Sequence, residues 1–79
     1  MTYTIEEFLE EFNSEREVNI YYEPELNLIF VRTGQTVNIY QWHYENCNLI
    51  IDNIDIFTLS EYTNYDDFYK ECLDYIKNI

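Results

Sequence analysis

The stretch Val18-Asn19-Ile20-Tyr21-Tyr22-Glu23-Pro24-Glu25-Leu26-Asn27-Leu28-Ile29-Phe30-Val31-Arg32 decides the fold class. Val18, Ile20 and Tyr22 alternate with Asn19 and Tyr21, the period that sends successive side chains to opposite faces of a strand. Glu23-Pro24-Glu25 interrupts the alternation with a residue that cannot donate to a ladder, so it reads as a turn. Leu26 to Arg32 then reads as a second strand, and the two segments as a hairpin.

Working toward the C-terminus, Thr33-Gly34-Gln35 holds the only Gly of the chain, a natural left-handed turn position. Val37, Ile39 and the aromatic run Tyr40, Trp42, Tyr44 follow as a third strand. Asn48 to Leu59 is rich in β-formers, with Asp52-Asn53 between Leu49-Ile50-Ile51 and Ile54-Asp55-Ile56-Phe57, and reads as one or two further strands. Asn64 as N-cap, with Asp66 and Asp67 in the first turn, opens a final helix. Its apolar side is Phe68, Cys72, Tyr75 or Ile76, and Ile79, with Lys70 and Lys77 outward.

Toward the N-terminus, Thr4 followed three residues later by Glu7 has the form of a capping box. Ile5, Phe8, Leu9 and Phe12 recur at helical spacing, which predicts an amphipathic helix over 5–13 with Glu6, Glu7, Glu10 and Glu11 outward. Asn13-Ser14 breaks the pattern. The predicted class is α+β: an antiparallel sheet of three to five strands with an N-terminal and a C-terminal helix, both on one sheet face. The other face would then expose Tyr21, Tyr40, Trp42 or Tyr44 as an aromatic surface, a composition typical of interfaces.

Composition bounds the function. The 79 residues carry 16 Asp or Glu against 4 Lys or Arg, a formal net charge of −12. A chain of this length is one domain, 1–79, and this charge excludes direct nucleic-acid binding by phosphate neutralisation. Leu, Ile, Val and Phe supply 24 residues and the aromatics number 15, enough apolar surface for the chain to fold. No segment is long and apolar enough for a membrane span, and no basic or apolar region of a secretory signal precedes Glu6. Two widely spaced cysteines do not make a disulfide scaffold, and the cytosol is the expected compartment.

Motifs for catalysis are thin. His43 is the only imidazole, and nucleophilic catalysis needs a base beside its Ser or Cys. His43, Cys47 and Cys72 sketch a zinc set, but the four-residue spacing fails if His43 lies in a strand. Asp52 with Asp55, and Asp66 with Asp67, are nominal acid–base pairs of a kind that chance supplies in so acidic a chain. One Gly leaves no phosphate-cradling loop. The chain is therefore read as a non-enzyme with no cofactor and no metal.

The acids themselves carry the remaining signal. Carboxylates at i and i+4 repel by roughly 0.2 to 0.5 kcal/mol where a Glu–Lys pair would attract. Glu6 with Glu10 and Glu7 with Glu11 form two such pairs, and Glu10 and Glu11 lie away from the dipole end that favours anions. A row of carboxylates with Cβ atoms ~5 to 6 Å apart approximates the phosphate spacing of a duplex strand, and Arg forks grip both anions with the same geometry. The same acids would also suit an immunity or antitoxin protein capping a basic toxin, whereas a dimerising regulatory module would use them only for solubility.

A short chain rich in Asn, Ile, Tyr and Glu, acidic throughout, resembles the phage-encoded DNA mimics, most closely the anti-CRISPR inhibitors of type II effector nucleases. The resemblance is compositional, spans the whole chain and rests on no shared motif. It implies a CRISPR effector nuclease as partner, whose PAM-reading arginines or nucleic-acid channel would be occupied so that target DNA is blocked. The expected contact residues are Glu6, Glu7, Glu10 and Glu11 on the first helix and Asp66, Asp67, Glu71 and Asp74 on the second, with Tyr40 and Trp42 as flanking anchors. It also implies action in the host cytosol, and a homodimer is the alternative assembly.

Overall fold

The computed structural model describes residues 3–13 and 18–78. The order is α1 (Ile5–Asn13), β1 (Val18–Glu23), β2 (Leu28–Thr33), β3 (Thr36–Glu45), β4 (Asn48–Thr58) and α2 (Tyr65–Lys77). The four strands form one antiparallel meander, β1-β2-β3-β4. Glu15 and Glu17, beyond α1, and Ile79, expected on the apolar side of α2, lie outside the described residues.

Each connection follows from local backbone chemistry. Between β1 and β2 the chain turns through Pro24 to Asn27, with Glu25 N–H donating to the Glu23 carboxylate at 3.0 Å and Asn27 at φ 56°. Asn tolerates that left-handed geometry better than most residues. Leu26, expected to open the second strand, is therefore in the turn and exposed, and β2 begins at Leu28. Gly34 sits at φ 64° between β2 and β3; a Cβ there would meet nothing within 4 Å, so backbone conformation, not space, asks for Gly. Between β3 and β4 the two linking residues, Asn46 and Cys47, lie at φ 51° and 65°, the pair of positive values that a type I′ hairpin turn requires.

The segment 48–58 is one strand, not two. The register steps between Ile39 and Tyr40, which pair with Asp55 and Asn53, so Ile54 is an extra residue in a β-bulge. Asn53 stabilises the bulge, its amide donating to the Ile39 carbonyl at 3.1 Å and the Asp55 carbonyl at 3.2 Å. The polar Asp52-Asn53 pair that resembled a break thus lies within one strand, beside its bulge.

The helices occupy opposite faces of the sheet, which corrects the one-face arrangement expected from element order. In β2, Leu28 and Phe30 point to α2 and join Val37, Ile39, Leu59, Phe68 and Cys72. Ile29 and Val31 point the other way and join Ile5, with Phe8, Leu9 and Phe12 of α1 packed around them. Every β2 residue from Leu28 to Arg32 is buried. A strand covered on both faces loses its polar alternation and becomes a continuous apolar run, and Leu28-Ile29-Phe30-Val31 is such a run.

Arg32 ends the run without opening the core. Its Nε donates to Asn19 Oδ1 at 2.5 Å and its Nη1 to the Gly34 carbonyl at 2.6 Å, while the guanidinium lies 3.8 Å from the Tyr62 ring centroid. Tyr62 donates its hydroxyl to the same Asn19 oxygen at 2.5 Å. One of the chain's few cations is thereby committed to structure.

Candidate acidic binding faces

α1 is held by one cap and one apolar stripe. Thr4 accepts the Glu7 N–H on its hydroxyl at 3.3 Å and the Phe8 N–H on its carbonyl at 3.1 Å, which serves orphan donors of the first turn. Ile5 is buried and its N–H donates to the Tyr44 hydroxyl at 3.1 Å, tying the helix start to the far end of β3. The apolar side being turned to the sheet, Glu6, Glu7, Glu10 and Glu11 are all exposed. Tyr3 donates its hydroxyl to the Glu11 carboxylate, a bond that, with partial desolvation, pushes the phenol pKa up to about 12. Glu6 also adds to burial in raising the Tyr22 phenol.

α2 is built differently. Asn64 Oδ1 accepts the Asp66 N–H at 2.9 Å, and Asp67 reaches back to the Thr63 N–H at 2.7 Å, the Thr63 hydroxyl at 2.8 Å and the Asn64 N–H at 3.4 Å. These donors hold the Asp67 carboxyl below its ordinary range, the Thr63 backbone N–H foremost. Asp67 is thus engaged in the cap, and Asp66, Glu71 and Asp74 are the exposed acids of this helix. Lys70 stands one turn from both Asp66 and Asp74, and Lys77 lies in the last turn, so the charges of α2 are mixed along one side.

Between α2 and β4 lies an open cleft of about 400 Å³, lined by Asp55, Phe57, Thr58, Glu71, Asp74, Tyr75 and Asn78. Tyr75 donates its hydroxyl to Asp55 Oδ2 at 3.1 Å, and burial first, then Asp55, raises its pKa. The two acidic helices do not combine into one patch, because the sheet stands between them. A single basic surface meets the α1 face or the α2–β4 face.

The aromatic surface divides in the same way. Tyr21 is on the α2 side, against Phe30 and edge-on to Tyr69 at 5.2 Å. Tyr40 and Trp42 are half-buried beneath α1, and Trp42 packs edge-on to Tyr44 at 5.4 Å. The expected open face bearing Tyr21, Tyr40, Trp42 or Tyr44 is therefore closed by α1, with Tyr44 alone of the three on that side exposed. The exposed aromatic pair is one the sequence reading passed over: Tyr65 and Tyr69, stacked at 6.2 Å on α2. Their i, i+4 spacing outside the Phe68–Cys72 stripe was the available signal. Ile54 and Ile56, exposed at 45% and 57%, were also missed, since a bulge that reorients Ile54 leaves no trace in period-two alternation.

The catalytic and metal candidates are dispersed. His43 Nε2 lies 3.6 Å from Glu45 Oε2 in an exposed pair on β3. Cys47 is exposed in the β3–β4 turn, whereas Cys72 is wholly buried, and burial foremost pushes its thiol pKa up to about 12. Among the described residues no three His, Cys, Asp or Glu side chains group as metal ligands, and no helix is long and apolar enough to cross a membrane. No protein family, curated protein or solved structure matches the chain.

Proposed function

We propose that the protein is an acidic inhibitor that binds the basic nucleic-acid-binding site of a nuclease and blocks access of target DNA by presenting carboxylates where phosphates would lie. One observation carries this reading. Glu6, Glu7 and Glu10 stand exposed on a helix whose apolar side is turned to the sheet, with no cation at ion-pair distance among the described residues. Packing explains Ile5, Phe8, Leu9 and Phe12, but the repulsive Glu6–Glu10 spacing lowers helix stability, and solubility needs less than a charge of −12. A basic channel would turn that repulsion into attraction, with Arg forks taking carboxylates in bidentate fashion. A CRISPR effector nuclease is the partner to which the compositional resemblance points.

The test is a competition assay. A basic nuclease recovered at low salt on the tagged protein is loaded with fluorescent duplex DNA, and the protein is titrated in. Displacement of DNA that weakens steeply between low and high ionic strength supports the reading. DNA that stays bound while the active site is capped would replace it with the immunity-protein alternative.

A further inference from the structure

The two edges of the sheet are treated unequally. Along β1, Tyr65 donates its hydroxyl to the Ile20 carbonyl at 3.4 Å, Tyr62 bonds the Asn19 side chain, and all six residues are half-buried. Along β4, the longest strand at 11 residues, no described element pairs on the outer side. Exposed edges are ordinarily guarded by Lys, Pro or shortness. β4, Asn-Leu-Ile-Ile-Asp-Asn-Ile-Asp-Ile-Phe-Thr, contains neither Lys nor Pro. Its guards are a bulge and the exposed acids Asp52 and Asp55.

Acidic guards are selective. Two copies of a chain with a net charge of −12 would bring Asp52 and Asp55 against their own kind, which disfavours a second copy and leaves a cationic strand welcome. The two sides of β4 also differ in what they offer. Ile56, paired with Asn38, lies on the α1 side of the sheet, and both Ile56 and the unpaired Ile54 of the bulge are exposed. Asp55 lies on the α2 side, where it forms the cleft with Glu71 and Asp74. An added strand would send alternate side chains to these two sides.

We infer that the outer edge of β4 takes up an extended cationic segment of the partner as a fifth strand, its apolar side chains over Ile56, along an edge where Ile54 is also exposed, and its Lys or Arg side chains in the Asp55–Glu71–Asp74 cleft. The inference rests on the partner being basic, as in the proposed function. Asp55 provides the exchange: its Oδ1 now accepts the Ile56 N–H at 2.8 Å. An incoming carbonyl replaces it there as the incoming cation takes the carboxylate.

The isotope-labelled 79-residue chain titrated with two short peptides of one composition tests this, one alternating Lys and Val and one with Lys and Val in blocks. The alternating peptide should bind about tenfold more tightly and protect amides of 52–58 from exchange, and Ile54→Thr with Ile56→Thr should remove about tenfold of its affinity without disturbing the rest of the spectrum. Equal binding of both peptides, protection confined to α1 or β1, or full affinity in the double variant overturns the docking edge. The peptides need no nuclease, so failure here is distinct from failure of the DNA competition, which tests the inhibitor reading itself.

Discussion

The two helices solve the same problem in opposite ways. α2 seats Phe68 and Cys72 at 0% exposure, closes its start with a reciprocal capping box and carries Lys77 at its end. α1 is shorter, buries Ile5 alone among its described side chains, is capped through Thr4 and has no basic residue in its last turn. The rules for helix ends are met at both ends of α2, whereas the outer face of α1 sets Glu6 against Glu10 and Glu7 against Glu11 without a lysine among them such as Lys70 provides in α2. Such departures from local consistency are where function is expected, because selection has tolerated a cost there that packing does not require.

The contrast is sharpest in the core. Phe68→Ala should cost about 3 to 5 kcal/mol in denaturant unfolding, and Ile5→Ala about 2 to 3, since α1 is shorter and its cavity more easily collapsed. Equal losses would mean that α1 is as firmly anchored as α2. At the caps, Asn64→Ala should cost about 1 kcal/mol and Thr4→Ala about half that.

The α2 cap also has a pH signature. Because Asp67 titrates below its ordinary range when folded, its contribution is complete at neutral pH and lost as pH falls through that lowered value. The stability gap between the parent chain and Asp67→Asn should therefore close on acidification below the ordinary carboxylate range. A gap independent of pH would remove charge from the cap's account.

Thiol reactivity separates surface from core. One cysteine, Cys47, should react with an aromatic disulfide reagent in the native state and both after unfolding, because Cys72 is wholly buried with its thiol held protonated. Rapid native labelling of Cys72 would show α2 lifting from the sheet. Least in stability is Glu6→Lys with Glu10→Lys, which should move the unfolding free energy by no more than about 0.5 kcal/mol.

Much of this fold is legible in the residues. The 5–13 helix, the Asn64 cap, the Pro24 and Gly34 turns and the sheet meander follow from apolar period and turn chemistry. Three features escaped for physical reasons. Helix placement is a tertiary choice, although the Leu28–Val31 run already required cover on both faces. The β4 bulge depends on an Asn53 amide that bonds across strands, and strand propensity does not encode that contact. The Asn46-Cys47 turn places Cys where Gly is usual. Of the candidate site, the exposure of Glu6, Glu7, Glu10 and Glu11 was readable from helical spacing alone. The cleft of Asp55 with Glu71 and Asp74 was not, because it joins residues from β4 and α2 that only the tertiary fold brings together.

The most direct test of the inhibitor reading is displacement of duplex DNA from the captured basic nuclease by the parent chain and by Glu6→Lys with Glu10→Lys, measured side by side at low salt. The parent should displace DNA, and the doubly reversed variant, equally stable, should lose about tenfold or more in potency. Displacement by both with equal potency would take α1 out of the site, and displacement by neither would contradict the account.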